Sequence, residues 1–307
     1  SPQRRGLKKV LLQGALLYKI EARNAQTIEK YGQGTPDDWL ERHIYGRYTT
    51  SGIILLLPLN MLLFGVAGIA MWAVQMIWIP LWAAGVINGV GHYWGYRNFE
   101  TSDASRNIVP WGILIGGEEL HNNHHGHAAS ARLSNKWWEV DIGWFYIRCL
   151  EILGLAKVKN IAASAVSIRE KMIVDAETVC AVVRNRFHIL KLYGHKVIIP
   201  VLKQHYHASE QASRNWLRRV GKLLTREDIS LQGDNGDYLA AALKVSPTLE
   251  TVYRFKLQLK EIWMQSSRNQ INSLRHLQAW CAEAEKSGIQ ALQDFSCYLR
   301  GYTLKFQ

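Results

Sequence analysis

Apolar positions fill one stretch of the chain without interruption. From Thr49 to Tyr96 the sequence runs for 48 residues without Asp, Glu, Lys or Arg. One helix needs about 20 apolar residues to cross a hydrocarbon core about 30 Å thick, so this length predicts two membrane-spanning helices joined by a turn. Gln75 marks the predicted turn, flanked by interfacial tryptophans: Trp72, Trp78 and Trp82. A buried hairpin of a soluble protein is disfavoured because no face carries charge.

The segments around this stretch mix apolar with charged residues. In residues 1–48, leucines are interspersed with lysines and arginines in a pattern that is typical of amphipathic helices at a membrane surface. Residues 137–156 are apolar but carry four charged side chains, which favours a helix that lies on the membrane or on the spans without crossing. Residues 157–226 are predicted to form long basic helices. Residues 227–307 are predicted to be helical, with breaks at Gly233–Gly236, Ser246–Pro247 and Gly288.

These patterns predict an all-α integral membrane protein with a transmembrane helical hairpin. The predicted organisation has four parts. Residues 1–48 form cytoplasmic or interfacial helices, and residues 49–96 form the two transmembrane helices. Residues 97–156 form a cytoplasmic region that carries the chemistry, and residues 157–307 form a basic helical tail in the cytoplasm.

Charge sets the predicted orientation. Basic residues stand beside both outer ends of the uncharged stretch and none lies in its middle, so both ends of the hairpin are predicted to be cytoplasmic. Residues 157–226 carry 14 basic and 4 acidic side chains, which the same rule explains. Nucleic-acid binding by this region is the weaker alternative, and no nucleic-acid partner is expected. Its basic cluster would be Arg214, Arg218, Arg219, Lys222 and Arg226. The four cysteines form no CxxC pair and are expected to be reduced.

Histidines carry the sharpest chemical signal. Five of the 11 fall within 36 residues, and three of these follow one another as His121, His124 and His125. Positions i, i+3 and i+4 share one helix face, so these imidazoles can converge on one metal ion such as iron, zinc, copper or nickel. Glu118 lies one turn earlier on that face and could orient an imidazole. His92, at the end of the second predicted span, is the fourth candidate ligand.

Other assignments of these histidines are less favoured. A zinc hydrolase usually has a glutamate base between two histidines, as HExxH, whereas Asn122 and Asn123 occupy the intervening positions here. His127 stands outside the i, i+3, i+4 set. The remaining six are interpreted as surface residues: His43, His188, His195, His205, His207 and His276.

Three segments together resemble the membrane fatty acid desaturases. They are NGVGHYWGYRNFE, EELHNNHHGHAASAR and KWWEVDIGWFYIRCLEILGLAKV. The resemblance is closest to the bacterial acyl-CoA delta-9 desaturases, and it covers residues 1 to about 160. The region after residue 160 resembles the basic helical tail of proteobacterial members.

This resemblance implies an iron enzyme. Family members hold two irons with nine histidines and a water on an asparagine. HNNHH would supply His121, His124 and His125 as metal ligands, and NGVGH would supply His92, with Asn88 holding the water. The implied reaction is the O2-dependent introduction of a cis double bond into a long-chain acyl-CoA at the bacterial inner membrane. Because no haem or flavin motif occurs, electrons would come from a separate protein, a ferredoxin or a cytochrome b5-like donor.

The chain also departs from the family pattern. The first two histidine boxes and the first two spans are absent, and the sequence begins at Ser1 without a methionine. We therefore expect a C-terminal part of such an enzyme, with no signal peptide and without activity on its own. The alternatives are a non-catalytic membrane-anchored helical scaffold and a related membrane fatty acyl hydroxylase.

Overall fold

A computed structural model describes residues 2–32, 37–48, 50–168, 170–208, 214–266 and 270–305. Thr49, where the predicted hairpin begins, lies outside these residues. Helices dominate the described part of the chain, as the sequence predicts. The α-helices are α1 Pro2–Arg5, α2 Leu7–Glu21, α3 Ala25–Tyr31, α4 Ser51–Phe64, α5 Ala67–Ile79, α6 His121–Gly126, α7 Ile142–Ile152, α8 Ala176–Arg184, α9 Arg186–Tyr193, α10 Ile199–Ala208, α11 Arg214–Thr225, α12 Asp234–Val245, α13 Pro247–Ser266, α14 Gln270–Lys286 and α15 Gln290–Arg300.

Other elements are short. Three π-helical segments occupy Glu41–Tyr45, Pro80–Ile87 and Gly194–Ile198, and two 3-10 turns occupy Val90–His92 and Glu118–Leu120. The strands are β1 Trp111–Gly112, β2 Val140–Asp141, β3 Ser164–Ser167 and β4 Tyr302–Lys305. Contacts divide the chain into two units. Unit 1 contains residues 1–96 and 106–121, and unit 2 contains residues 97–105 and 122–307.

The apolar hairpin of unit 1 turns earlier than predicted. Helices α4 and α5 are joined at Gly65 and Val66, and Gly65 has a φ of 62°, a left-handed conformation that suits glycine. Gln75 is therefore inside α5 and not at the turn, which corrects the prediction. Its Oε1 accepts a hydrogen bond from the Asn60 amide at 3.1 Å, so the two helices share a polar contact.

One helix of the described residues, and not two, is long and apolar enough to cross a membrane. It runs from Ala67 to His92, with a mean hydropathy of 1.6. Helix α4 has 14 residues, or about 21 Å at 1.5 Å per residue, which is short of a 30 Å core. The indole of Trp72 donates to the Ile53 carbonyl at 3.0 Å, near the start of α4. Trp72 thus does not flank the turn as predicted.

Glycines bring α2 against the Pro80–Ile87 segment inside unit 1. A Cβ added to Gly14 would lie 2.3 Å from the Ala84 carbonyl oxygen, and one added to Gly85 would lie 2.6 Å from the Leu11 carbonyl oxygen. Such distances leave no room for a side chain, so the two backbones are in direct contact. Small residues allow this approach between membrane helices. Helix α2 is thus packed on the apolar helix along its Val10 and Gly14 face, and its other face is exposed.

Unit 2 has its own apolar core. Its largest fully buried side chains include Tyr193, Phe295 and Leu224. In residues 157–226, where long basic helices were predicted, α8 to α11 have only 8 to 12 residues each. Helix α8 begins at Asp175, whose carboxylate accepts a hydrogen bond from the Thr178 amide. The predicted breaks at Gly233, Ser246 and Gly288 are confirmed. Gly236, however, lies inside α12.

A small antiparallel sheet in unit 2 was not predicted. Strand β3 pairs with β4, with Ser164 opposite Lys305 and Ser167 opposite Tyr302. The fold is therefore mostly but not wholly α-helical. The β3 sequence SAVS has only four residues, and its partner is about 140 residues away, so no local pattern marks it.

His188 is half-buried, which corrects its assignment to the surface. Its Nδ1 lies 3.2 Å from the hydroxyl of Tyr302, on β4. Burial, with nearby lysines, lowers the pKa of His188 to about 4. The imidazole is therefore neutral at physiological pH and belongs to the packing of unit 2. His195, His207 and His276 are exposed, as predicted.

The glycine contact predicts a sharp difference between two identical substitutions. We expect Gly14→Ala to destabilise the chain by about 1–3 kcal/mol, because its methyl group overlaps the Ala84 carbonyl and the helices must separate. Gly52→Ala is the control: nothing lies within 4 Å of its added Cβ, and alanine favours a helix by up to about 1 kcal/mol. Denaturant unfolding of the detergent-solubilised protein measures both. Equal effects of the two changes would show that the contact is not formed.

Candidate metal centre

Two local structures place the histidines. His92 ends the apolar helix of unit 1, in the 3-10 turn Val90–His92. Helix α6 carries His121, His124 and His125, and it follows the turn Glu118–Leu120. Gly116 and Gly117 precede that turn with φ values of 66° and 100°, so this sharp reversal depends on glycine.

His92 and His121 are in contact inside unit 1. Their Nε2 atoms lie 3.0 Å apart, and the rings meet edge to face. His121 is buried. A Cβ on Gly91 would lie 3.3 Å from the His121 ring, so glycine at this position lets the imidazole approach the helix end. Glu118 Oε2 lies 3.7 Å from the other nitrogen of His121, Nδ1.

His125 follows His121 by one turn of α6. An imidazole–metal bond of about 2.1 Å gives two nitrogens a separation of about 3.0 Å at an angle of 90°. The His92–His121 distance fits a hydrogen bond between the two rings and also two neighbouring ligands of one ion. His124 stacks edge to face on His125, with ring centroids 5.7 Å apart.

Asp103 holds the His125 ring in unit 2. Its Oδ2 lies 2.7 Å from His125 Nδ1, and its Oδ1 accepts hydrogen bonds from the Ser105 amide and the Thr101 hydroxyl. Partial burial raises the pKa of the Asp103 carboxyl, but these hydrogen bonds outweigh burial and the net pKa is lowered. The carboxylate at Nδ1 orients the His125 ring and favours the tautomer that carries its proton on Nδ1. Sequence spacing gave no signal for Asp103, because it lies 22 residues from its partner.

The two asparagines between the histidines are structural. Asn122 is fully buried, and its Oδ1 accepts hydrogen bonds from the amides of Asn98 and Phe99 at 2.7 and 2.8 Å. Asn123 donates to Glu139, whose carboxylate also accepts from Asn98. Together these bonds tie α6 to residues 97–99 and to residues 135–139. The position of Asn122 and Asn123 opposite the histidine face of α6 could have suggested such a role.

Two further residues complete the description of the predicted site. The Asn88 amide donates to the Ala83 carbonyl at 3.1 Å, and its side chain is exposed. His127 packs edge to face on Phe99, and burial lowers its pKa. Neither of these contacts involves His92 or His121.

Comparisons with known proteins divide the chain into two parts. The family profile described as "Transposase" matches residues 157–304. Curated desaturases match about two fifths of the chain. Delta-9 acyl-lipid desaturase 1 of Arabidopsis thaliana is 34% identical over 133 residues, which are 42% of this chain and 44% of that protein. No solved structure matches.

Cyanobacterial relatives give the same result. An sn-2 palmitoyl-lipid 9-desaturase of Nostoc is 34% identical over 122 residues, 39% of this chain and 40% of that protein. An sn-1 stearoyl-lipid 9-desaturase of Synechocystis is 32% identical over 148 residues, 47% of this chain and 44% of that protein. The matches span less than half the length of these relatives. The chain thus carries fatty acid desaturase sequence over part of its length, as the histidine motifs predicted.

The buried asparagine predicts a large effect of a small truncation. Asn122→Ala removes the acceptor for two buried amides, and each unpaired amide costs about 1–3 kcal/mol, so we expect a loss of about 2–5 kcal/mol. Asn215→Ala, at an exposed position of α11, is the matched control and should change stability by less than about 0.5 kcal/mol. Urea unfolding followed by tryptophan fluorescence checks both variants. A loss below about 1 kcal/mol for Asn122→Ala would contradict the role of Asn122 as the acceptor for these two amides.

Proposed function

We propose that this chain supplies part of the iron centre of a membrane fatty acyl desaturase. The observation that carries the proposal is the contact between His92 and His121 at 3.0 Å, on two segments that resemble desaturase motifs. His92 and His121 would hold one ion directly, and the motif resemblance makes His125 a further ligand. His124, on the same short helix, would serve an adjacent ion through the motif resemblance.

The donor set fits iron. Imidazole is a neutral nitrogen ligand that suits iron, and the desaturases of this family use two irons. Three imidazoles fill half of an octahedral shell, so a di-iron pair needs more ligands than this group provides. We therefore propose that the chain described here is inactive alone. When bound, the iron pair would supply the O2 chemistry that removes two hydrogens from adjacent acyl carbons.

The residues around the group would orient it. Asp103 fixes the ring of His125, and Glu118 stands 3.7 Å from His121, close enough to orient that ring after a small movement. Asn88 would hold a water by its resemblance to the family motif. Its amide bonds to the Ala83 carbonyl, which leaves its side-chain oxygen as the group that can accept from such a water.

The substrate and partners follow from the same proposal. The relatives are named for acyl groups carried by lipids, which favours an acyl-lipid substrate over the acyl-CoA predicted from the sequence. The apolar helix Ala67–His92 would anchor the protein in the bacterial inner membrane. A separate ferredoxin or cytochrome b5-like protein would supply electrons. A hydroxylase would use the same ligands, and product analysis separates the two activities.

Metal titration tests the ligand assignment. In anaerobic calorimetric titrations of the detergent-solubilised chain with Fe2+, we expect His121→Ala to weaken binding by at least 10–100-fold, because it removes one direct donor. His276→Ala is the control, since His276 is exposed on α14. Equal affinity for the two variants would refute the metal site. Unsaturated product made by the 307-residue chain with reductant, electron carriers and O2 would refute its inactivity alone.

The transposase match and a surface charge pattern favour a second candidate, nucleic-acid binding by the C-terminal region. Four basic residues form what we term the basic stripe: Lys203, Arg214, Arg218 and Lys222. The last three are spaced four apart on α11, and Lys203, Arg218 and Lys222 line one shared groove. The ion pairs found in the described residues involve other basic side chains. The stripe would therefore be available to phosphates.

Salt dependence tests this second candidate. Binding of a fluorescent 25-base-pair duplex should weaken steeply with salt, and Arg218→Gln with Lys222→Gln should lower the slope of log K against log salt by about 2. Lys157→Gln with Lys159→Gln is the matched control, because both lysines are exposed and lie outside the stripe. A shallow slope, or equal slopes for the two double variants, would leave the sequence-based expectation of no nucleic-acid partner in place.

A further inference from the structure

The loop of residues 97–105 connects the helical core of unit 2 with the ring of His125. The loop carries Asp103, the carboxylate that bonds His125. Its conformation is closed by Arg97, whose guanidinium donates to the carbonyls of Thr101 and Asp103, both at 2.9 Å. Any group that holds Arg97 in place therefore also holds Asp103.

Glu100 is such a group. Its side chain is 8% exposed, and its Oε1 lies 3.2 Å from Arg97 Nη2 and 3.5 Å from Arg226 Nε. The same oxygen accepts a hydrogen bond from the Glu227 amide at 3.2 Å. Arg226 and Glu227 follow α11, about 125 residues later in the chain. This buried carboxylate thus accepts hydrogen bonds from Arg97 and from the Glu227 amide, and it forms an ion pair with Arg226.

Arg226 and Glu227 are themselves held by other residues of unit 2. Arg226 makes a double hydrogen bond with Asp228, and the Glu227 carboxylate pairs with the buried Lys256 of α13 at 2.6 Å. The backbone of Glu100 adds a fourth link, since its amide donates to the Phe187 carbonyl of α9 at 3.0 Å. The C-terminal helices consequently fix where residue 100 lies. A buried charge without partners is costly, so the loop has little freedom to leave these donors.

We propose that Glu100 and Arg226 are positioning residues for the metal centre, acting through Arg97 and Asp103 on the His125 ring. The inference rests on the proposed function, because it treats His125 as a ligand. It assigns the C-terminal helices a role in the chemistry that neither the transposase match nor the desaturase motifs give them. Partners that orient a ligating histidine typically change metal affinity by about 10–100-fold when they are lost.

The test uses the 307-residue chain and two readouts. The first is the tautomer of His125 in the metal-free protein, measured by long-range proton–nitrogen NMR on selectively labelled histidine. The second is the affinity for Fe2+ under anaerobic conditions. The variants are Glu100→Ala, Arg226→Gln and, as the direct loss of the partner, Asp103→Leu. Arg300→Gln is the matched control, since it also removes an arginine ion pair of unit 2, with Glu285.

We expect Arg226→Gln and Glu100→Ala to mix the two tautomers of His125 and to weaken Fe2+ binding about 10-fold or more, as Asp103→Leu does, while Arg300→Gln changes neither. If Glu100→Ala does not fold, Arg226→Gln decides, because it leaves Arg97 paired with Glu100. A lowered melting temperature with an unchanged tautomer would overturn the inference. If the wild-type chain binds no Fe2+ but the variants still mix the two tautomers of His125, the inference is supported and only the proposed function is contradicted.

Discussion

The pairing of buried charge around residue 97 joins the loop of residues 97–105 to the C-terminal helices of unit 2. Burial raises the pKa of the Glu100 carboxyl and lowers that of the Arg97 guanidinium, and the attraction between the two opposite charges opposes both shifts. Arg226 and Asp228 extend the same cluster into the C-terminal helices. Because leaving one member unpaired costs several kcal/mol, the loop, the helices and Asp103 keep one arrangement.

Local sequence signals predicted the helical elements and the histidine group. The i, i+3, i+4 spacing of His121, His124 and His125 and the position of His92 are short-range patterns, and the structure brings His92 and His121 into contact. The breaks at Ser246 and Gly288 are local signals too. The stretch without charge predicted an apolar hairpin, but composition alone could not locate its turn. Gly65 lies at that turn, whereas the prediction placed the turn near the midpoint of the stretch.

Contacts between distant residues escaped prediction. Asp103 and His125, Glu100 and Arg226, and β3 and β4 are pairs whose members lie 22 to about 140 residues apart. No periodicity links such positions, and a single sequence read alone contains no signal of their pairing. The burial of His188 has the same origin, because its partner Tyr302 belongs to the last strand. The parts of the site that the sequence missed are thus those that long-range packing orients.

The β3–β4 pair has a consequence for the order of folding during synthesis. Its residues 164 and 305 enclose nearly all the helices of unit 2. Translation adds about 5–20 residues per second, so β3 waits roughly 7–28 seconds for its partner strand. Until then its backbone amides and carbonyls are an open edge, and His188 and its neighbours lack the cover of Tyr302. During this time the helices of unit 2 lack the β3–β4 pair, which forms only after β4 has been synthesised.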